Sequence, residues 1–318
     1  MVCWNNFSSI QRERWQLQIC YEGWAIMKNA IAMVGLGNAG AALAHALSGK
    51  FPLSGYDVDL GRKSALENLE LAWASSIESA VAEAQVVLLS LPRPEISLDV
   101  VRSVVGANTT ARLVIETSTI TPKVAQAMAQ ICGAADIGFV DAAIAGGVQS
   151  MAAGESTFLV GGGVEDFAAA TKILERIAKR IHHLGPVGAG SGAKVVNNAV
   201  MHALMVVLIE ASAMASKLEI PMQTMIEILA RPDGIMRPLE HRMKHRMLNA
   251  DYAGGMSVTN ARKDSMLALE MAQDLGVPLF ATSAAHTPYE IAEQLGYGEL
   301  DYAALAKLWE SWCDLHFA

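Results

Sequence analysis

One short stretch restricts the fold more than any other. An apolar run at 30–34 leads into Gly35-Leu36-Gly37-Asn38-Ala39-Gly40 and then into a helix-like segment at 39–48. A strand that must turn at once into a helix, with three glycines in this spacing, suits the loop that receives a dinucleotide. The first glycine makes the turn, the second lets backbone approach a pyrophosphate, and the third lets helix and strand pack closely. The next apolar run, 53–57, ends at Asp57. A carboxylate there, about 20 residues on, accepts from the ribose hydroxyls and repels a 2′-phosphate. NAD is therefore the expected cofactor. NADP is the second candidate, because Arg62 and Lys63 lie close by in the chain.

Strand-length apolar runs recur at 86–89, 113–116, 139–142, 157–161 and 181–184, with helix-like segments at 60–71, 121–131 and 164–178 between them. Buried strands alternating with helices predict βαβ units and a doubly wound parallel sheet of about seven or eight strands. The character changes after the glycine-rich segment 185–192. From Ala193 to about Leu218 there is neither Gly nor Pro. This predicts a helix of roughly 25 residues, close to 40 Å long, buried between domains or subunits. Everything beyond it reads as helical, at 222–230, 236–248, 258–275, 283–294 and 302–312. Most of the 16 methionines lie between Met201 and Met271, as in an adaptable helical core or a yielding substrate pocket. The fold class is α/β: a Rossmann-type doubly wound sheet over 27–192, then an all-α domain over 193–318 entered through the long helix.

Composition narrows the function. Of 318 residues, 52% are apolar and 18% charged, enough to bury a large core. The net charge of −8 argues against nucleic acid as a partner. Cys3, Cys20, Cys132 and Cys313 have no redox or zinc spacing, which fits a reduced, cytoplasmic protein. No membrane association is expected. The longest uncharged run, 29–49, holds the three glycines, Asn38 and His45, and 195–209 is short and carries Asn197, Asn198 and His202. Residues 1–26 contain Trp4, Trp15 and Trp24 but nothing like a signal peptide. They read as an upstream extension before a start at Met27, or as a helix that docks by its aromatic residues.

From Met27 onward the chain resembles the β-hydroxyacid dehydrogenases, the group that contains 3-hydroxyisobutyrate dehydrogenase and tartronate semialdehyde reductase. Six motifs carry the likeness, in order. Gly35–Gly40 resembles the cofactor fingerprint, and Leu91-Pro92 the Leu-Pro beside the cofactor. Ser118-Thr119 resembles the Ser-Thr whose Thr meets the nicotinamide half. Asp141-Ala-Ala-Ile-Ala145-Gly146-Gly147 resembles the substrate motif, and Gly190-Ser-Gly-Ala-Lys194-Val-Val-Asn197-Asn198 the catalytic motif. Lys263-Asp264 resembles the pair whose Lys reaches the cofactor. The resemblance implies a hydride transfer between NAD(P) and a 3-hydroxy acid or its semialdehyde. Lys194 would handle the proton, Asn198 would hold the substrate, and Ser118, Ala145, Gly146 and Gly147 would line the substrate site.

Residue chemistry agrees with these roles. Lys194 and Asn198 are four apart, so ammonium and amide share a helix face. Lys194 is placed in the first turn of the long helix, where the dipole and an oxidised nicotinamide would lower its pKa. Gly146 and Gly147 offer backbone N–H groups as a nest for an anion. The sequence departs from the family where its Pro and Ser become Ala143 and Ala145. The missing hydroxyl opens the site to a bulkier or less polar substrate, or to one held by another cation. Arg237, Arg242, Lys244 and Arg246 form either that cation clamp or a solvated face. No metal site is expected at His241 and His245, where Arg242 stands in place of the Glu of the zincin pattern. Two other readings share the fold: an imine reductase, which Lys194 argues against, and a non-catalytic dinucleotide-binding module. The apolar helical domain predicts a homodimer or homotetramer.

Overall fold

The computed structural model describes residues 30–318. Expectations for residues 1–26 and for Met27 lie outside them. Eight strands form one sheet in the order β3-β2-β1-β4-β5-β6-β7-β8. They are β1 Ile31–Val34, β2 Leu53–Tyr56, β3 Leu71–Trp73, β4 Val86–Leu89, β5 Leu113–Glu116, β6 Gly138–Ala145, β7 Ser156–Gly161 and β8 Ala178–His183. Helices α1 Asn38–Leu47, α2 Arg62–Ala65, α3 Ile77–Val81, α4 Pro94–Gly106, α5 Pro122–Gly133, α6 Val148–Ala152 and α7 Val164–Leu174 connect them.

The central strands are apolar along their whole length because both faces are covered. Alternate side chains separate into two cores. Ile31, Met33, Leu88, Ile115 and Phe158 pack with Leu43 and Leu47 of α1. Ala32, Val34, Val87, Leu89 and Val114 pack with Val101 of α4 and Met128 of α5. Each large side chain buried this way contributes roughly 1.5–3 kcal/mol.

The sheet departs from expectation in three places. It is mixed, not parallel throughout: β7 runs antiparallel to β6, and β8 parallel to β7. The link from β6 to β7 contains only the five-residue α6, too little chain for the usual parallel crossover. The helix expected at 60–71 is four residues long, and β3 follows it. The helix expected to reach residue 178 stops at Leu174 and gives way to β8, which exposes Lys179, Arg180, His182 and His183.

Helix α8, Ala189–Lys217, starts four residues before Ala193, inside the glycine-rich segment. The chain divides into two compact units after Asn198, within this helix. The expected boundary at 192/193 also falls inside it. The second unit continues with α9 Met222–Ala230, α10 Val258–Leu275, α11 Ala281–Gln294 and α12 Ala306–Cys313. Ser257 caps α10 by accepting from Asn260 N–H, and Gly276 closes it in the left-handed conformation. Glu210 of α8 accepts from the N–H groups of Phe280, Ala281 and Thr282 and from the Thr282 hydroxyl, and so caps α11. Burial pushes this carboxyl upward, but those four hydrogen bonds outweigh it and hold it below the usual carboxylate range.

The regular helix expected at 236–248 is instead a π-helical turn, Pro238–Met243, and a 3₁₀ turn, Met247–Asn249. Pro238 lacks a backbone donor, and Arg242 is drawn inward to the buried Asp301 at 3.3 Å. Helix α8, expected to be buried between domains or subunits, is largely uncovered within the single chain. Only 11% of its most apolar window is covered within the chain, and Val196, Val200, Met201, Met205 and Ile209 are exposed. By length and composition α8 is also the one described helix that could cross a membrane.

Candidate active site

The C-terminal ends of β1, β2 and β4 open onto a cavity of about 490 Å³ lined by Gly35, Gly37, Asn38, Asp57, Leu91 and Pro92 among others. Ala39 and Gly40 line it too, so the free N–H groups of α1 face the space. Gly35 has φ +89°, and a side chain on it would run into the Ser90 carbonyl. A Cβ on Gly40 would run into the Gly35 carbonyl, whereas one on Gly37 would meet nothing within 4 Å. The loop is therefore tight at its ends and open in the middle, which fits a phosphate-bearing dinucleotide.

Asp57 is bound into this loop. Its Oδ2 accepts from Leu36 N–H at 2.6 Å, and its Oδ1 accepts from Asp59 N–H at 2.8 Å. Asp59 in turn pairs with Arg62 at 3.3 Å. Arg62 faces a carboxylate that sequence reasoning missed. A second contact joins Leu91 to Ser118: Leu91 N–H donates to Ser118 Oγ at 2.7 Å. Ser118 N–H donates to Glu116 Oε1 at 2.7 Å. Thr119, beside it, is exposed at the strand end.

Glu116 is fully buried, with Oε2 unpartnered. Desolvation pushes its carboxyl up to about 7, against hydrogen bonds from Ser118. In the sequence its only sign is an acid closing the apolar run 113–116.

Beyond this cavity, β6 delivers Ala145, half-buried, to Gly146 and Gly147, both exposed. At the other end of the substrate motif, Asp141 is fully buried. Its Oδ1 accepts from Gly188 N–H at 2.8 Å and its Oδ2 from Ser191 N–H at 2.6 Å. The start of α8 is thus tied to β6. Lys194 is the sixth residue of α8, in its second turn and not its first. The dipole effect fades within one turn. Burial is what lowers the Lys194 pKa from the ordinary lysine range. Lys194 and Asn198 are both half-buried, and Asn198 Oδ1 accepts from Asn197 Nδ2 at 3.3 Å.

The other predicted residues lie in the second unit. Lys263 is exposed on α10, 3.0 Å from Asp264. The proposed cation clamp is largely committed elsewhere. Arg242 pairs with Asp301, Lys244 with Glu240, and Arg246 with Asp251 and the Ala253 carbonyl. Among the described residues no group of three His, Cys, Asp or Glu could hold a metal ion.

Comparison with known proteins agrees with this architecture. Residues 30–185 match the NAD binding domain of 6-phosphogluconate dehydrogenase. Residues 188–309 match the domain described as NAD-binding of NADP-dependent 3-hydroxyisobutyrate dehydrogenase. An NAD-dependent L-serine dehydrogenase of Pseudomonas aeruginosa is 31% identical over 296 residues, covering 88% of this chain and 97% of that one. A solved structure of Mycobacterium tuberculosis 3-hydroxyisobutyrate dehydrogenase with L-serine is 29% identical, with a TM-score of 0.60 over 87% of this chain and 97% of the other. A solved imine reductase from Pseudomonas sp. is 20% identical, with a TM-score of 0.78 over 88% of this chain and 99% of that one. This likeness shows the fold alone.

Proposed function

Because the chain belongs to the β-hydroxyacid dehydrogenase family and is an NAD(P)-dependent oxidoreductase, we propose that its substrate is a small 3-hydroxy acid. The class is that of 3-hydroxyisobutyrate or L-serine, or the matching semialdehyde. The bound nicotinamide supplies or accepts the hydride. The chain's own residues do the rest. Lys194 takes the hydroxyl proton during oxidation and returns it during reduction. Asn198, one helical turn on, holds the same oxygen. Gly146 and Gly147 offer N–H groups to the carboxylate, beside Ser118 and Ala145.

One observation carries this reading: Lys194 and Asn198 share a face of a helix whose start is tied to the substrate strand, and burial favours the neutral amine of Lys194. Without the hydroxyl that Ala145 lacks, carboxylate binding loses roughly 1.5–3 kcal/mol. The N–H groups of Gly146 and Gly147 are left to hold the carboxylate. Lys263 is proposed to reach the cofactor, as its family motif implies.

NAD is proposed over NADP, since Asp57 and Asp59 both repel a 2′-phosphate and Arg62 is already paired. A second copy of the chain is proposed to cover the apolar face of α8, giving a homodimer or homotetramer. The cytoplasm is the proposed compartment, consistent with free thiols at Cys132 and Cys313. We propose no membrane partner, in line with Glu210, which is buried on α8 in a full set of hydrogen bonds.

Initial rates of NAD reduction across 3-hydroxyisobutyrate, L-serine, glycerate, threonate and aryl-substituted 3-hydroxy acids test the proposal. Turnover on at least one of them supports it. Silence across the panel together with turnover of a cyclic imine by NADPH would replace it with the imine reductase reading.

A further inference from the structure

Two features meet where α8 begins. Asp141 is wholly buried, and both of its carboxylate oxygens accept backbone N–H groups, from Gly188 and Ser191. Burial pushes the Asp141 carboxyl above its ordinary range, and these two donors oppose that rise by holding both oxygens as acceptors. The same turn is seated directly on sheet backbone. A Cβ on Gly190 would run into the Leu159 carbonyl and lie 2.8 Å from both the Asp141 carbonyl and the Gly161 nitrogen. Gly161 faces Asp141 across the β6–β7 ladder, and a Cβ there would lie 2.6 Å from Asp141 Oδ1. Side chain and backbone together leave α8 little freedom to slide or rotate at its origin. Lys194 follows Ser191 by three residues, less than one turn.

We propose that Asp141 is a positioning residue for proton transfer, setting where α8 starts and so where the Lys194 amine and the Asn198 amide stand. This rests on the role proposed for Lys194. Asp141 belongs to the substrate motif by sequence, yet it is sealed from solvent and its oxygens face the start of α8. A misplacement of about 1 Å at a reacting group costs on the order of 100-fold in rate, which sets the scale expected on loosening this anchor.

The test compares wild type, Asp141→Asn, Lys194→Ala and the double variant, with 3-hydroxyisobutyrate and L-serine as assay substrates. Asp141→Ser runs in parallel, so that failure of one variant to fold still leaves the other. Asn keeps the size of Asp but turns an NH₂ toward an N–H donor. The expected result is a 10- to 100-fold lower kcat for Asp141→Asn, with the Kd for NADH within twofold of wild type. In the Lys194→Ala background the same change costs several-fold less than in wild type, the remainder acting through Asn198. Hydrogen–deuterium exchange should rise over residues 188–198 and stay unchanged over β1–β5. An unchanged kcat, an equal loss in both backgrounds, or faster exchange spread over the whole sheet overturns the proposal. Full kcat in Lys194→Ala overturns the reading of Lys194 itself and the role of Asp141 with it. Loss in Lys194→Ala beside full kcat in Asp141→Asn overturns the positioning role alone.

Discussion

The molecule builds two glycine-rich junctions between strand and helix, and each is tied by one aspartate. At the first, Asp57 accepts from Leu36 in the loop before α1. At the second, Asp141 accepts from Gly188 and Ser191 at the start of α8. Asp57 stands half-exposed on the wall of the cavity, where a ribose can meet it. Asp141 is sealed from solvent, and both its oxygens are committed inside the protein. The same residue type at the same kind of junction thus recognises a ligand in one place and sets geometry in the other. Each carboxylate accepts two backbone N–H groups, so exposure decides which.

The comparison can be broken at its most consequential point by Lys194→Ala. Removing the proton carrier should lower kcat by about 10²- to 10⁴-fold while NADH binding, followed by fluorescence, is retained. Retained kcat would remove the reason for anchoring α8 at all. Next in size is Gly190→Ala at the sealed junction. The added methyl has only backbone to push against, so a loss of about 2–4 kcal/mol is expected in urea unfolding. A gain of about 0.5–1 kcal/mol, the ordinary Gly-to-Ala helix effect, would show that the junction is looser than described.

Glu116 sharpens the sealed side further, since it pairs in register with Asp141. Its folded pKa, about 7, lies above its ordinary value of 4.5. The stabilisation from burying the neutral acid is therefore complete below about pH 4.5 and lost as pH rises through 7. Glu116→Gln keeps the neutral shape. It should match wild type near pH 5 and exceed it at pH 8 by up to about 3 kcal/mol. Equal stabilities at pH 8 would mean that Glu116 ionises freely.

The smallest effect is expected on the open side. Asp57→Asn should lower kcat/KM with NAD by about 10-fold and narrow the margin over NADP, because one charge-assisted hydrogen bond and one repulsion are lost. An unchanged cofactor ratio would move cofactor choice to Asp59 and Arg62.

Much of this was legible in the chain. The glycine fingerprint is local, and its strand and helix flank it directly. Helix 258–275 lies between Ser257 and Gly276, whose capping chemistry needs no distant partner. What escaped depends on residues far apart in sequence. Gly190 and Gly192 discourage a helix by intrinsic propensity, so local sequence points to Ala193 as its start and not Ala189. The close approach of β6 and β7 that demands glycine there is invisible locally. Arg242 looked like a solvent-facing cation because Asp301, which buries it, lies in a distant segment. The reversal of β7 follows from chain length between strands, not from any side chain in them.

The two rims of the sheet carry a consequence for how copies of this chain can meet. One rim is β3, only three residues long, and the other is β8, studded with Lys179, Arg180 and two histidines. A short rim and a charged rim are both poor templates for adding another strand. Growth of the sheet from molecule to molecule is therefore discouraged at each end.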